Sequence, residues 1–286
     1  MLEYIVDKNF EKQTIGRYLR TYCSVSARTL AKLKRIEGAI LLNGQKAKAV
    51  DLVKLGDKIS ISVPSGVSEG VTPVELPIDV VFEDEYLVVL NKPPFMPVHP
   101  TKVHQQDTLA NALSYYAGSK GESYAFHAVN RLDRNTSGLV IVAKDRHTAS
   151  IMSQNEITKH YTAFVMGEFV GNGTVDAPIE LSQNSKIIRT VSPSGKPSVT
   201  HYESVSVKEG FSVIKLILET GRTHQIRCHM SHIGYPLLGD DLYGGSMDRI
   251  NRHALHCGYI SFTHPINGEN ITINADMPDD MKSLLI

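Results

Sequence analysis

The stretch NRLDRNTSGLVIVAKD, Asn130–Asp145, combines a polar loop with an apolar strand. Its second half contains LVIVA, a short run rich in β-branched residues, which is typical of a strand covered on both faces. Its first half places Asp133 between Arg131 and Arg134 and ends in the turn-forming pair Ser-Gly. A carboxylate between two guanidinium groups at the start of a strand indicates either a structural ion-pair network or a chemical site.

The composition is that of an ordinary globular protein. The chain has 286 residues, of which 42% are hydrophobic and 21% charged, enough for one large domain or two unequal ones. Its apolar runs have strand length and no signal-peptide pattern follows Met1, which predicts a cytoplasmic protein. Cys23, Cys228 and Cys257 are widely spaced and form no CxxC pair, so neither a disulfide framework nor a zinc ribbon is indicated.

The charge is unevenly distributed along the chain. The 30 Lys+Arg balance 30 Asp+Glu overall. Residues 1–63 nevertheless contain 12 Lys+Arg against 6 Asp+Glu, a net charge of +6, and the remainder carries −6. A basic excess confined to a short N-terminal segment favours a nucleic-acid-binding appendage on a separate catalytic body. The alternative is an ordinary solvated surface.

The N-terminal segment has the pattern of a small RNA-binding module. SARTLAKLKRIEG predicts a basic helix, AILLNGQKAKAV contains an Asn-Gly turn, and LGDKISISV ends in an alternating strand. This order, over roughly residues 14–63, resembles the alpha-L motif, a module named after a ribosomal small-subunit protein. The resemblance implies that Arg28, Lys32 and Arg35 face structured RNA and contact phosphates and helix shape more than base edges.

The pattern predicts three segments. Residues 1–63 form the module, the Pro-, Gly- and Ser-rich residues 64–77 a linker, and residues 78–286 a catalytic domain. In the last segment several strand patterns surround two helices, predicted in DTLANALSYYAG and HTASIMSQNE. The predicted fold class is α+β: a large mixed, mainly antiparallel sheet flanked by helices, preceded by a small helix-rich module.

Common catalytic motifs are missing from the sequence. The twelve histidines include no HExxH motif and no pair with a carboxylate at ligand spacing, so no metal is expected. There is no GxSxG motif for a serine nucleophile. Phosphate-binding GxxxxGK[ST] and GxGxxG loops are also absent, which argues against nucleotide hydrolysis and dinucleotide redox chemistry.

Two further polar clusters lie in the β-rich segment. KHYTAF, with Tyr161 near the start of a predicted strand, is one. ETGRTHQIRCHMSHIGYPLLGDDLYG, Glu219–Gly244, is the other, and if its centre is extended then Gln225, Arg227 and His229 share one face. A strand tyrosine is usually a core residue and GDDLYG is typical of a turn. Three such clusters in one chain nevertheless favour a functional site.

These clusters carry a family resemblance. RLDRNTSGLVIVAKD, with NKPPFMPVHP before it and KHYTAFVMG and GRTHQIRCHMSHIGYPLLGDDLYG after it, resembles the RluA/RluD type of RNA pseudouridine synthase. The resemblance covers nearly all of residues 78–265, and RLDxxTSG and GRTHQIRxH are highly specific motifs. The family commonly has His where Asn130 stands and often an acidic residue where Asn135 stands. These departures concern the hydrogen bonds around the aspartate and the choice of RNA, and leave the reaction type unchanged.

The resemblance implies a reaction and a set of residue roles. Uracil is detached from ribose, turned and rejoined through C5, without net oxidation and without a cofactor. Asp133 corresponds to the essential carboxylate, which can attack covalently, stabilise a cationic sugar or abstract a proton. Arg227 corresponds to its ion-pair partner, which keeps it ionised, although a purely structural pair is the alternative. Arg131 matches the residue that fills the space left by the flipped base, and Tyr161 the tyrosine that packs against uracil.

Three functions remain open from sequence alone. The first is a uridine isomerase acting on RNA, with 23S large-subunit rRNA favoured over tRNA, and with a monomer as the expected state. The second is a non-catalytic RNA-binding factor in ribosome assembly, which would bind RNA without forming a new nucleoside. The third is a carboxylate-based glycosidase or nucleosidase that would release free uracil.

Overall fold

The computed structural model of the protein describes residues 2–23, 25, 27–62, 71–123 and 125–286. The predicted module boundary at residue 63 and residues 64–70 of the predicted linker lie outside the described residues. The side chain of Arg28 also lies outside them, although its backbone is part of a helix.

The described residues form six α-helices, sixteen strands and three short 3-10 turns. The helices are α1 (Ile15–Thr21), α2 (Ala27–Leu33), α3 (Leu109–Ser119), α4 (Arg146–Met152), α5 (Gln225–His232) and α6 (Asp279–Lys282). The strands are β1 (Leu2–Ile5), β2 (Ile40–Leu42), β3 (Gln45–Lys46), β4 (Lys58–Ile61), β5 (Asp79–Glu83), β6 (Leu87–Lys92), β7 (His127–Ala128), β8 (Ser137–Ala143), β9 (Ile157–Met166), β10 (Asn172–Asp176), β11 (Ile179–Leu181), β12 (Arg189–Val191), β13 (Val199–Lys208), β14 (Phe211–Leu218), β15 (Leu255–Thr263) and β16 (Asn270–Asn274).

The N-terminal unit, residues 2–62, has a core of its own. Strands β1, β4, β2 and β3 form an antiparallel sheet in that order, and α1 and α2 contribute buried apolar side chains such as Leu19 and Leu33. Helix α2 ends at Leu33 and is shorter than the helix predicted up to Gly38. The chain leaves it through turns, and Gly38 has a φ of +74°, which a glycine adopts without strain. The hydroxyl of Tyr4 bonds His147, so the unit contacts the larger domain.

The larger domain is built on a ten-stranded sheet. Its path runs β10-β13-β14-β9-β15-β8-β6-β5, with β16 paired to β15 and β7 paired to β8. The pairing of β15 with β8 is parallel, whereas the other pairings of this sheet are antiparallel. The prediction of a large mixed, mainly antiparallel sheet is therefore confirmed.

Strand β8, which follows the Asp133 loop, lies between β15 and β6 in this sheet. Every residue of β8 is buried, as its apolar sequence predicts. At Gly138 the backbone φ is +111°, and a Cβ atom there would lie 2.2 Å from the carbonyl oxygen of Cys257 on β15. Only glycine permits this close approach, which fixes where the loop enters the sheet.

The two helices predicted in this domain are present. Helix α3 begins at Leu109 with Thr108 as its N-cap, whose hydroxyl accepts a hydrogen bond from the backbone of Asn111. Helix α4 begins after Asp145, whose carboxylate accepts from the backbone N–H groups of His147 and Thr148. It ends at Met152, before the polar residues that complete the predicted helical stretch.

The segment through Gln225, Arg227 and His229 is not extended, so the shared face considered for an extended chain does not form, and the segment is helix α5. In a helix, residues four apart share a face. Gln225 and His229 both contact the hydroxyl of Thr200 on β13, at 3.1 and 2.8 Å, while Arg227 points elsewhere. The short polar run has too few apolar residues for their spacing to distinguish a helix from a strand. The contacts with β13 stabilise the helix.

Candidate active site

The loop that carries Asp133 is fixed at both ends. The side-chain amide of Asn130 donates to the carbonyl of Leu139 at 3.0 Å, and its oxygen accepts from the backbone N–H of Ile141 at 2.8 Å. The backbone N–H of Thr136 donates to the carbonyl of Asp133 at 3.1 Å. Asn130 thus extends the hydrogen bonding of β8 to the loop that carries Asp133.

The carboxylate of Asp133 lies between two cationic or potentially cationic groups. Its Oδ2 atom is 3.4 Å from Nη1 of Arg227 and 3.8 Å from Nε2 of His224. The side chain is 24% exposed, so an approaching ligand can reach it. The predicted proximity of Asp133 and Arg227 is thus present, with a single contact of moderate length.

The stronger partner of Arg227 is Asp240, which stands in the GDDLYG stretch that the sequence predicts to be a turn. Nε and Nη2 of Arg227 donate to the two oxygens of Asp240, each at 2.7 Å, in the bidentate geometry that guanidinium and carboxylate favour. The ring of Tyr243 lies 5.0 Å from the guanidinium carbon. Burial alone would lower the pKa of Arg227, but the hydrogen bonds and charge of Asp240, followed by the charge of Asp133, outweigh burial and raise it.

His224 is the second group facing Asp133. It precedes α5 in the left-handed region, with a φ of +56°, and its Nδ1 atom lies 3.0 Å from the hydroxyl of Tyr243. Burial lowers the pKa of this imidazole, and Arg227 lowers it further, while the charge of Asp133 opposes the change. The ring is therefore mainly neutral at pH 7, and Arg227 is the permanent cation beside Asp133.

Tyr161 reaches the same site from β9, which is separated from β8 in the sheet by β15 alone. The residue is 6% exposed, and its ring forms part of the cleft wall. Burial raises the pKa of its hydroxyl well above the ordinary value, and the nearby Cys257 and Asp133 add to the effect. The phenol is therefore protonated at neutral pH and available for packing and hydrogen bonding.

These side chains line one cleft of about 360 Å³, including its open mouth. The walls combine arginines with apolar residues, which suits a flat, polar-edged ring such as a nucleobase. The lining residues are Arg131, Leu132, Asp133, Thr136, Tyr161, Leu218, Arg222, His224, Gln225, Ile226, Arg227 and Leu255. All four residues predicted for catalysis and base flipping, Asp133, Arg227, Tyr161 and Arg131, therefore meet at this cleft. Arg131 is exposed at the surface next to the carboxylate.

A buried lysine, Lys92, binds the backbone of the loop that carries Asp133. Its Nζ atom donates to the carbonyls of Pro93 and Met96 at 2.9 Å and of Arg134 at 3.1 Å, which connects the two loops at this end of the sheet. Burial lowers its pKa to about 7, with a further contribution from Arg252, while the charge of Asp133 opposes the change. Sequence analysis did not single out this lysine. Its position in the NKPPFMPVHP motif was the one sequence signal that could have identified it.

Arg252 forms a second support for the same loop. Its Nη1 atom donates to the carbonyl of Asn135 at 3.0 Å, and Nε and Nη2 donate to the two oxygens of Asp280 at 2.6 and 2.9 Å. The residue is 1% exposed. It thus connects the Asp133 loop to α6 near the C-terminus, a relationship that no sequence spacing could indicate.

None of the described cations of the N-terminal unit lines this cleft, and four of them line a separate groove. The groove is lined by residues 33–38, 40 and 46–50 and includes Lys34, Arg35, Lys46 and Lys48. Lys32 is exposed on α2, and Arg35 is exposed in the turn that follows it. Of these cations, Lys46 forms an ion pair with Glu37 at 2.8 Å.

The fold is shared with solved structures of RNA-modifying proteins. The human protein described as RNA pseudouridylate synthase domain containing 4 superposes with a TM-score of 0.58 over 72% of this chain and 91% of that chain, at 23% identity. The human RNA pseudouridylate synthase domain containing 1 gives a TM-score of 0.57 over 70% and 83%, at 24% identity. At these identities the likeness establishes the fold class.

Sequence comparison establishes the family. Residues 86–232 match the family described as RNA pseudouridylate synthase, so the chain belongs to that family. It is 39% identical to the uncharacterized RNA pseudouridine synthase YjbO of Bacillus subtilis, over 91% of this chain and 94% of the relative. It is 34% identical to the ribosomal large subunit pseudouridine synthase D of Escherichia coli K12, over 87% and 82%. The protein is an RNA pseudouridine synthase, an isomerase that converts uridine to pseudouridine. Within the part of the chain that the structure describes, no helix is long and apolar enough to cross a membrane.

Proposed function

We propose that this protein isomerises uridines of large-subunit rRNA, acting as a monomer in the cytoplasm with Asp133 as its essential carboxylate. The observation that carries the proposal is the partly exposed Asp133 carboxylate, 3.4 Å from Arg227 in a cleft that Arg131 and Tyr161 also line. The similarity to the large-subunit synthase of Escherichia coli supports the choice of RNA.

Asp133 acts on the ribose in this proposal. The bond from C1′ to N1 of uracil breaks, the bond from C1′ to C5 forms, and the proton that leaves C5 is balanced by one gained at N1. A carboxylate promotes this exchange as a nucleophile, as a base or by stabilising a cationic sugar, and each of these roles requires the ionised form. Arg227, a permanent cation, favours that form.

Arg131 and Tyr161 receive the base in this proposal. A uridine must leave its stack before it can enter the cleft, which costs roughly a few kcal/mol. The exposed guanidinium of Arg131 can occupy the vacated position by stacking or hydrogen bonding. The neutral phenol of Tyr161 offers the uracil a flat, apolar wall with one hydrogen-bonding group.

The N-terminal unit holds the structured RNA in this proposal. Its net charge of +6 and the exposed Lys32 and Arg35 suit contacts with phosphates, and Arg28 belongs to the same predicted basic face. Such contacts depend on salt and carry little sequence information. The choice of uridine would then come from the catalytic cleft and its surroundings.

Chemical mapping of pseudouridine in rRNA and tRNA tests the proposal, because uridine and pseudouridine have equal mass. Cells producing the wild-type protein are compared with cells producing Asp133→Asn. We expect at least one large-subunit rRNA site to disappear in the mutant. A site that disappears in tRNA instead would refute the proposed substrate, and an unchanged map would refute the role of Asp133.

A further inference from the structure

Phe95 lies in an unusual backbone conformation beside the active site. Its φ is +66°, in the left-handed region that bulky side chains rarely adopt. Its side chain does not belong to the hydrophobic core, since the residue is 42% exposed. The next residue, Met96, packs against the core of the larger domain. Within the described chain, the ring of Phe95 has no aromatic or cationic partner. The fold therefore bears backbone strain for a ring that it does not bury.

The peptide of Phe95 is held firmly on both sides. Nε of Arg134 donates to the carbonyl of Phe95 at 3.2 Å, and Nζ of Lys92 donates to the carbonyls of Pro93 and Met96, each at 2.9 Å. The same lysine bonds the carbonyl of Arg134. The ring is thus presented on a fixed support, and a glycine would satisfy the same backbone at lower cost. Strain retained at a rigid, exposed position indicates a functional role.

The position of Phe95 connects it to the cleft. Arg134 directly follows Asp133 in the chain, so one hydrogen bond separates the peptide of Phe95 from the catalytic loop. His99, in the same loop as Phe95, lies close enough to Arg131 for that charge to add to burial in lowering the imidazole pKa. The loop from residue 93 to residue 99 therefore runs along the arginine-lined side of the site.

We propose that Phe95 binds the RNA substrate by stacking on an unpaired base next to the uridine that enters the cleft. Flipping a uridine leaves the bases on both sides of it without a stacking partner, and a fixed, exposed aromatic ring can stack on the neighbour that Arg131 does not cover. The exposed guanidinium group of Arg134 suits a phosphate of the same strand. Phe95 is in this view a substrate-binding residue that contributes to the choice of site. The proposal rests on the proposed action on RNA but does not depend on which RNA is modified.

The substitution Phe95→Gly separates stacking from folding. Glycine relieves the positive φ, so the melting temperature should stay the same or rise. Loss of one stacked base should raise KM for the RNA that the wild type modifies by about tenfold, while kcat stays within about twofold. Phe95→Tyr should behave like the wild type. Tyr115→Leu, which removes another exposed aromatic ring, on α3, is the control and should leave KM unchanged.

Binding measurements test the stacking of Phe95 on RNA separately from the reaction. In an Asp133→Asn background, Phe95→Gly should weaken binding of a large-subunit rRNA fragment or a tRNA about tenfold, with an unchanged slope of affinity against salt, because no cation is lost. A Phe95→Gly protein with wild-type KM and affinity would overturn the proposal. A decrease in both melting temperature and kcat would also overturn it, because the ring would then have a structural role. A wild-type protein that forms no pseudouridine in large-subunit rRNA would instead overturn the proposed substrate. The binding measurement with tRNA would still test the role of Phe95.

Discussion

Asp240 binds Arg227 through two hydrogen bonds of 2.7 Å, and the Asp240 side chain is completely buried. This leaves Nη1 of Arg227 directed toward Asp133 at 3.4 Å. Asp240 thus orients the arginine and balances its charge inside the protein, and Asp133 meets a cation that is already fixed. Asp133 thus contacts a guanidinium that is already fixed and is still 24% exposed, so a ligand can reach it.

Replacing Asp240 with Asn should damage both stability and turnover. The buried guanidinium would lose its compensating charge, and an unpaired buried ion of this kind costs about 3–5 kcal/mol of folding free energy. Arg227 would also be free to move toward Asp133. Denaturant unfolding and kcat measure the two effects. Asp241→Asn, an exposed carboxylate one residue along, is the matched control and should change the unfolding free energy by less than about 0.5 kcal/mol. Equal behaviour of the two variants would contradict the assigned role of Asp240.

Replacing Asp133 with Asn should abolish activity and leave the fold and RNA binding nearly intact. The side chain is partly exposed and Arg227 retains Asp240, so the unfolding free energy should change by no more than about 1 kcal/mol. Turnover should fall by about a thousandfold or more, as expected for loss of a group that acts on the reacting atoms. Single-turnover assays with purified protein and RNA, alongside thermal unfolding, test both statements. Large destabilisation would mean that the carboxylate is primarily structural.

The sequence predicted the fold where periodicity was strong. The apolar β8, the capped helix α3 and the mixed sheet follow from residue patterns that act over a few positions. The helix in the short polar segment around Arg227 was not predicted, because it depends on contacts with Thr200 about 25 residues earlier. Local patterns do not contain that information.

Motif resemblance predicted the side chains that meet at the cleft, but not the residues that hold them in place. Motif resemblance indicated Asp133, Arg227, Tyr161 and Arg131, and the structure brings all four to one cleft. The buried pair of Arg227 and Asp240 was missed because a GDD sequence is ordinarily a turn, and its burial becomes visible only in three dimensions.

The support from Arg252 should affect catalysis without contacting RNA. Arg252→Met would remove the bond to the carbonyl of Asn135, two residues after Asp133, and would leave Asp280 without its partner. We expect a loss of about 1–3 kcal/mol of unfolding free energy, because buried carbonyls lose their donor, and a lower kcat with KM nearly unchanged. Lys282→Met, which breaks the exposed ion pair with Asp276, is the control and should cost less than about 1 kcal/mol. A change confined to KM would argue for direct RNA contact.

Lys92 should make stability depend on pH in a specific direction. Burial lowers its pKa to about 7 in the folded protein, whereas an unfolded lysine titrates near about 10.4. Between these values the unfolded chain holds a proton that the folded protein lacks, so the unfolding free energy contributed by Lys92 rises with pH from about 7 to 10 and is lowest below pH 7. Lys92→Met should remove this dependence. It should also destabilise the protein by about 1–3 kcal/mol at pH 9, because the neutral amine has two N–H groups and so at most two of the three carbonyls lose a donor. Denaturant unfolding of both proteins from pH 6 to 10 measures the difference. A gap between wild type and mutant that stays constant or narrows as pH rises would show that Lys92 keeps its proton throughout, held by the three carbonyls and Asp133.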